Sequence, residues 1–182
     1  MTEFNEMQTL KRRLFAMRNG AIADNMRRQG ADYRIIFGVN LPQLVEIASE
    51  TPHTADLAER LWQNRTTRES MLIAPMLYPR EQYSVETARR WVSEVLTAEV
   101  ADILCHRLLR HMNFAYALAE EFVTSESDME RYVAFRLFFN LLPARIDDMK
   151  GYADKELAQN CQLTKMLCRM LLDEIEFIQE VD

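Results

Sequence analysis

The chain has 182 residues, of which 48% are apolar and 27% are charged, with only 4 glycines and 5 prolines. This composition excludes a disordered chain and a collagen-like or loop-rich fold. The length suits one domain over residues 1–182, whose core needs no disulfide or metal to hold it. The formal net charge of −6 argues against a uniformly basic nucleic-acid binder and leaves open only a local basic face.

Apolar residues at three- and four-residue steps predict helices along almost the whole chain. The predicted helices begin near residue 7 and continue over 22–28, 42–50, 54–63, 67–78, 85–96, 97–112, 114–123, 128–142 and 154–180. No alternating run is long enough to predict a strand, so the fold class is all-α. Short breaks between helices favour consecutive antiparallel pairs, which form either a helical solenoid or a compact bundle.

Several residues mark where these helices begin, bend and end. Thr54, Thr67, Ser84 and Ser127 stand where the first free N–H groups of a helix need acceptors. Pro75 lies inside the pattern over 67–78 and is expected to kink that helix, because it lacks one backbone donor. In the irregular link that precedes residue 42, Gly38 is expected to make the turn.

Cysteine and histidine spacing predicts neither a metal site nor a cofactor. Cys105, Cys161 and Cys168 are odd in number and match no zinc-finger spacing, so we expect reduced, buried thiols. His106 and His111 project about 140° apart around a helix and do not easily share a metal. The N-terminus lacks a signal-peptide pattern and no window is apolar enough to span a bilayer, which predicts a cytoplasmic protein without a membrane partner.

Charge is unevenly distributed along the chain. Residues 11–40 contain seven basic and two acidic side chains, whereas the tail after residue 170 is acidic without a base. Within the basic stretch, Arg12, Arg13, Arg27 and Arg28 form either a solvated face or a patch that contacts DNA phosphates.

A succession of short segments carries a resemblance to a known family. YRIIFGVNLPQLVEIA over residues 33–48 is followed by LAERLW at 57–62, Glu69, ARRWV at 88–92, AEVAD at 98–102 and MERYVA at 129–134. In order and spacing these segments resemble the DNA alkylation repair (AlkD-like) family of HEAT-like repeat proteins, over roughly residues 20–142. The resemblance implies a HEAT-like α-α superhelical repeat whose groove grips duplex DNA.

Active members of that family are glycosylases that excise N3- or N7-alkylated purines, and the resemblance implies which residues here would act. The catalytic carboxylate matches Asp102, which would stabilise the positive charge that develops on the sugar. The tryptophan of active members, one helical turn earlier, is replaced here by Ala98, and Trp91 is expected to be a core residue. The DNA-contacting base matches Arg131, or Arg136 if the register shifts.

These matches leave two hypotheses about function open. The first is a DNA-binding protein related to alkylpurine glycosylases, in which Ala98 and the acidic last helix weigh against efficient excision. The alternative is a non-catalytic helical scaffold that binds a protein partner. The residues themselves also have structural interpretations: Asp102 as a first-turn helix carboxylate, and Arg131 and Arg136 as salt-bridge residues.

Overall fold

The computed structural model describes residues 2–181 of the chain. Within that range the all-α prediction is confirmed, since the single isolated β-bridge, between Ile35 and Thr67, extends into no strand. The described residues form eleven α-helices: α1 Thr2–Ala16, α2 Gly20–Arg28, α3 Leu41–Ser49, α4 Ala55–Gln63, α5 Arg68–Leu77, α6 Val85–Glu94, α7 Ala98–Arg107, α8 Ala115–Phe122, α9 Asp128–Leu141, α10 Ile146–Gln159 and α11 Lys165–Val181.

The chain divides into two compact units, over residues 1–83 and 84–182. Unit 1 contains α1 to α5, and unit 2 contains α6 to α11. None of the helices described over residues 2–181 is long and apolar enough to cross a membrane. That all 182 residues act as one domain stays a prediction.

The first helix begins at Thr2, earlier than the predicted start near residue 7, and two later predicted helices differ more strongly from the structure. The segment expected over 97–112 ends as an α-helix at Arg107 and continues as a 3₁₀ turn over Leu109–His111. The long helix expected over 154–180 is wrong, because α10 begins at Ile146 and the chain breaks after Gln159 before α11 starts at Lys165. Asn160 ends α10 in the left-handed conformation, with φ of 54°, which an isolated asparagine tolerates better than most residues.

Side-chain caps explain most helix starts. The hydroxyls of Thr54, Ser84 and Ser127 each accept a hydrogen bond from the backbone N–H three residues later, as predicted. Thr67 precedes α5 but makes no such bond, so the prediction for this cap is wrong. Pro75 lies in the last turn of α5, which continues to Leu77.

Unit 1 is organised around a buried carboxylate in α5. Glu69 is fully buried and accepts hydrogen bonds from the backbone N–H groups of Phe37 at 3.1 Å and Gly38 at 3.0 Å. Arg68 Nη1 donates to Glu69 Oε1 at 2.8 Å and to the Val39 carbonyl at 3.2 Å. The pair therefore fixes the link between α2 and α3 by satisfying its polar backbone groups.

Unit 2 is centred on α9, which packs against α6, α7, α8 and α11. Phe135 and Phe138 of α9 are fully buried, and so is Trp91 of α6, which confirms Trp91 as a core residue. The expected thiols are free, but only Cys105 and Cys168 are buried, whereas Cys161 is partly exposed. The helices α10 and α11 pack against each other and follow the same apolar periodicity as the rest.

Candidate functional site

Asp102 lies in the second turn of α7. Thr97 caps this helix by accepting a hydrogen bond from Val100 N at 3.3 Å, and the acidic residue of the first turn is Glu99. The interpretation of Asp102 as a first-turn carboxylate is therefore wrong. Its side chain is 41% exposed, so one side of the carboxylate faces solvent.

Two side chains of α9 meet Asp102. Arg136 Nε lies 2.6 Å from Asp102 Oδ1, and the Tyr132 hydroxyl donates to the same oxygen at 3.0 Å. Arg136 Nη2 in turn donates to the Tyr132 hydroxyl at 3.3 Å. Tyr132 and Arg136 are four residues apart, so both project from the same face of α9. The three residues form a closed cluster, which we call the Asp102 cluster.

Aromatic rings hold the guanidinium of this cluster in place. The Arg136 guanidinium carbon lies 5.9 Å from the ring centre of Tyr132 and 5.8 Å from that of Phe139. Burial raises the pKa of Tyr132, so its hydroxyl remains protonated at neutral pH and can donate to Asp102. The arrangement compensates the negative charge of Asp102 and presents a cation and an anion side by side at the surface.

Of the thiol and the imidazole that follow Asp102 on α7, the thiol offers no nucleophile. Cys105 is fully buried, and burial raises the pKa of its thiol, so the reactive thiolate does not form near neutral pH. Its Sγ instead donates to the Val133 carbonyl at 3.5 Å. Desolvation, together with the guanidiniums of Arg110 and Arg107, lowers the pKa of His106, which favours a neutral ring.

Arg131 lies apart from the Asp102 cluster, although it is adjacent in sequence to Tyr132. Its guanidinium contacts both carboxylate oxygens of Glu156 at 3.1 Å and Asp128 Oδ1 at 2.7 Å. It also donates to the carbonyls of Ser125 at 2.8 Å and Glu126 at 3.2 Å. Only 8% of the Arg131 side chain is exposed, and its contacts join the segment before α9 to α10. This burial and pairing support the interpretation of Arg131 as a salt-bridge residue.

The position of the family's tryptophan carries no aromatic ring in this chain. Ala98 is the first residue of α7, one turn before Asp102. Trp91 is fully buried in α6 and offers no ring to a ligand. The Asp102 cluster therefore has no aromatic ring one turn before the carboxylate, where the tryptophan of active members would stack on a sugar or on a cationic base.

Two of the four arginines predicted to contact DNA phosphates have partners among the described residues, and two do not. Arg13 forms an ion pair with Glu50, and Arg27 Nη1 donates to the Tyr33 carbonyl at 3.0 Å. Arg12 and Arg28 are exposed and form no ion pair with any residue in the described part of the chain. These two guanidiniums are therefore the ones available to an external anion.

Sequence reasoning missed three residues that shape these sites. Tyr132 stands out in the sequence only as part of a matched segment, although its four-residue spacing from Arg136 could have indicated that the two act together. Nothing in the sequence pairs Glu156 with Arg131, 25 residues away. The role of Glu69 likewise depends on a contact with a distant link. Among the described side chains, over residues 6–181, no three His, Cys, Asp or Glu groups are close enough together to hold a metal ion.

A solved structure and a protein-family model are similar to this chain. A solved structure described as a new family of proteins related to the HEAT-like repeat DNA glycosylases with affinity for branched DNA structures is similar to this chain, with a TM-score of 0.80. The match is 18% identical in sequence and covers 91% of this chain and 73% of that one, which shows the HEAT-like repeat fold. No significant match is found among proteins of curated function. The family model for DNA alkylation repair enzymes matches residues 10–180, and the chain belongs to that family.

Proposed function

We propose that this chain is a DNA-binding protein that contacts the phosphate backbone through Arg12 and Arg28, and that the Asp102 cluster forms a second point of contact. Membership of the DNA alkylation repair family supports this function, as does the affinity for branched DNA of the proteins with a similar fold. The observation that carries it is that Arg12 and Arg28 are exposed and make no ion pair with described residues, in a chain of net charge −6.

The test of DNA binding is its dependence on salt and on these two arginines. We expect a labelled duplex to bind at low salt and to be released as salt rises, because each neutralised phosphate releases counterions. The double variant Arg12→Gln/Arg28→Gln should bind more weakly and reduce the slope of log affinity against log salt by about 2. Arg169→Gln, an exposed arginine of α11, is the matched control and should change neither quantity. Equal affinities for the wild type and the double variant would contradict the proposed interface.

We further propose that the Asp102 cluster binds DNA without efficient excision of alkylated purines. A carboxylate accelerates glycosidic cleavage by stabilising positive charge on the sugar. Here the negative charge of Asp102 is already compensated by Arg136, whose Nε lies 2.6 Å from Asp102 Oδ1, so less of it can act on the sugar. Ala98 also lacks a ring that would stack on the lesion. Arg136, whose side chain is 20% exposed, is suited to a single phosphate contact while it remains paired with Asp102, because its guanidinium is always charged.

Release of free 3-methyladenine and 7-methylguanine from methylated duplex DNA decides between binding and catalysis. We expect the wild type and Asp102→Asn to release both bases at the spontaneous rate, while Arg136→Gln weakens duplex binding. Release by the wild type that is abolished in Asp102→Asn would instead establish Asp102 as a catalytic residue and overturn the proposal.

A second candidate function, binding of a protein partner, rests on α11. Met166, Met170, Phe177 and Val181 are large apolar residues exposed along this helix, among the acidic side chains Asp173, Glu174 and Glu176. Such a face suits a basic amphipathic helix of a partner. If neither duplex nor single-stranded DNA binds at low salt, and a partner that binds the wild type is lost in Phe177→Ser, the scaffold function is favoured.

A further inference from the structure

One face of α1 combines exposed cations with an exposed aromatic ring. Gln8, Lys11, Arg12 and Phe15 are spaced at three- and four-residue steps and therefore share a face of the helix. Together with Phe37 they line a shallow depression of about 400 Å³, which we call the α1 depression. The side chain of Phe15 is 55% exposed, which is unusual for a residue of this size and apolarity.

The ring of Phe15 is oriented by a contact on one side. The Arg18 guanidinium carbon lies 3.8 Å from the ring centre, and Arg18 Nη1 donates to the Phe15 carbonyl at 2.9 Å. The guanidinium covers one face of the ring and leaves the rest exposed where it borders the α1 depression. A fixed, half-covered ring loses little conformational freedom when a planar ligand stacks on it.

The charged side chains described along the α1 depression, Lys11 and Arg12, are both basic. Lys11 and Arg12 are exposed and form no ion pair with the described residues, whereas Arg13, the next residue along α1, pairs with Glu50. Among the side chains that the structure describes, no acidic one lines the α1 depression. A ligand that carries both an anion and a flat ring therefore complements this face.

A narrower cleft of about 210 Å³ adjoins the α1 depression and shares Gln8, Lys11 and Phe37 with it. Its other lining includes Asn64, Thr67 and Ser70, and Asn64 Nδ2 donates to Ser70 Oγ at 3.0 Å. Amide and hydroxyl groups beside an apolar wall can hydrogen-bond the polar edge of a ring that is seated there.

We propose that the α1 depression binds an unpaired nucleotide of a DNA strand, with the base stacked on Phe15 and the flanking phosphates at Lys11 and Arg12. The proposal rests on the DNA-binding function proposed above and adds the kind of DNA that is recognised. An unpaired base offers its face for stacking, whereas a base inside a duplex is already stacked on its neighbours. This face of α1 therefore discriminates between single-stranded and fully paired DNA.

The experiment compares a labelled single strand with the blunt duplex of the same sequence, by fluorescence anisotropy at one low salt concentration. Phe15→Ala should weaken binding to the single strand by about tenfold, which is within the range for loss of one base–aromatic stack, and should weaken duplex binding less than about twofold. Phe15→Leu keeps an apolar side chain without a ring and should lose as much as Phe15→Ala. Phe15→Trp should retain affinity for the single strand.

Phe177 of α11 provides the matched control, because it is a similarly exposed phenylalanine, at 61%, among acidic side chains. Phe177→Ala should leave both affinities unchanged. Equal losses of single-strand and duplex binding in Phe15→Ala, or full affinity in Phe15→Leu, would overturn the proposal. Duplex binding without single-strand binding would overturn this proposal and leave the proposed DNA-binding function intact. If neither DNA is bound, both the proposal and the proposed function are contradicted.

Discussion

Gly38 is required at its position by both conformation and space. Its φ is +75°, a left-handed conformation that costs an L-residue about 1–2 kcal/mol. A Cβ built on it would lie 2.2 Å from the Asn19 carbonyl oxygen and 2.9 Å from Ala23 N, both backbone atoms that cannot rotate away. The close approach of the link to α2 is thus possible only without a side chain.

We therefore expect Gly38→Ala to lower the free energy of unfolding by about 3 kcal/mol or more, since strain and backbone displacement add. Gly151, inside α10, is the comparison, because nothing lies within 4 Å of the position that an added methyl group would take. Gly151→Ala should raise stability by about 0.5–1 kcal/mol. Urea unfolding followed by circular dichroism measures both, and a neutral Gly38→Ala would contradict the role of the close approach.

Arg131 and Arg136 both belong to α9, but their side chains have different surroundings. The carboxylate partner of Arg131 is Glu156, which is 2% exposed and also accepts a hydrogen bond from Thr164 at 2.6 Å. The partner of Arg136 is Asp102, which water reaches. Removing a guanidinium therefore leaves a buried charge in one case and a hydrated charge in the other.

This difference predicts that Arg131→Gln lowers the free energy of unfolding by about 3 kcal/mol, because Glu156 would remain buried without its cation. Arg136→Gln should cost less than about 1 kcal/mol, as expected for a pair that solvent screens. Denaturant midpoints of the two variants provide the measurement. Similar losses in the two variants would show that the burial of Glu156 does not set the cost.

At the scale of the helices, the break between α10 and α11 depends on Asn160. With φ of 54°, this residue ends α10, and its side-chain oxygen accepts a hydrogen bond from Lys165 Nζ at 2.8 Å. A residue that enters the left-handed region releases the chain from the helix and lets α11 start in a new direction.

The stability of variants at Asn160 should depend on how readily the new residue adopts the left-handed conformation. We expect Asn160→Gly to be within about 0.5 kcal/mol of the wild type and Asn160→Val to be less stable by about 1–2 kcal/mol, because a β-branched residue strongly disfavours positive φ. Thermal melting of the two variants compares them directly. If the valine and glycine variants had the same melting temperature, the conformation of residue 160 would not control this break.

The helices were largely predictable because each one buries a stripe of apolar residues that recur every three to four positions. The break at Asn160 was not predicted, because apolar residues continue on both sides of it, although asparagine favours helix ends and was the local signal of a break. Asp102 could be chosen from the sequence through its resemblance to a known family. Its neutralisation by Arg136 could not, because that contact depends on how α7 and α9 pack.

At the scale of the whole molecule, the two units differ in charge. Residues 1–83 carry 11 basic and 10 acidic side chains, whereas residues 84–182 carry 11 basic and 18 acidic ones. Unit 2 thus has a net charge of −7, whereas unit 1 has a net charge of +1. A polyanion is repelled least by unit 1, which also provides the unpaired Arg12 and Arg28, so electrostatics favours DNA approaching that unit.

The stability of the molecule should also depend on pH through its two buried thiols, both in unit 2. Burial raises the pKa of Cys168 to about 12 and raises that of Cys105 as well. An exposed thiol in the unfolded chain has a pKa of about 8.5. Above that pH the unfolded chain binds fewer protons than the native one, so the stabilisation present at neutral pH is lost as pH rises.

We expect the free energy of unfolding to fall between about pH 9 and pH 11, by up to about 1.4 kcal/mol per pH unit for each thiol. Urea midpoints across this range measure the slope. The double variant Cys105→Ala/Cys168→Ala starts from a lower stability, because two buried side chains are shortened, but its midpoint should fall less steeply with pH. Parallel slopes for the two proteins would contradict the linkage, because they would show that other groups account for the whole pH dependence.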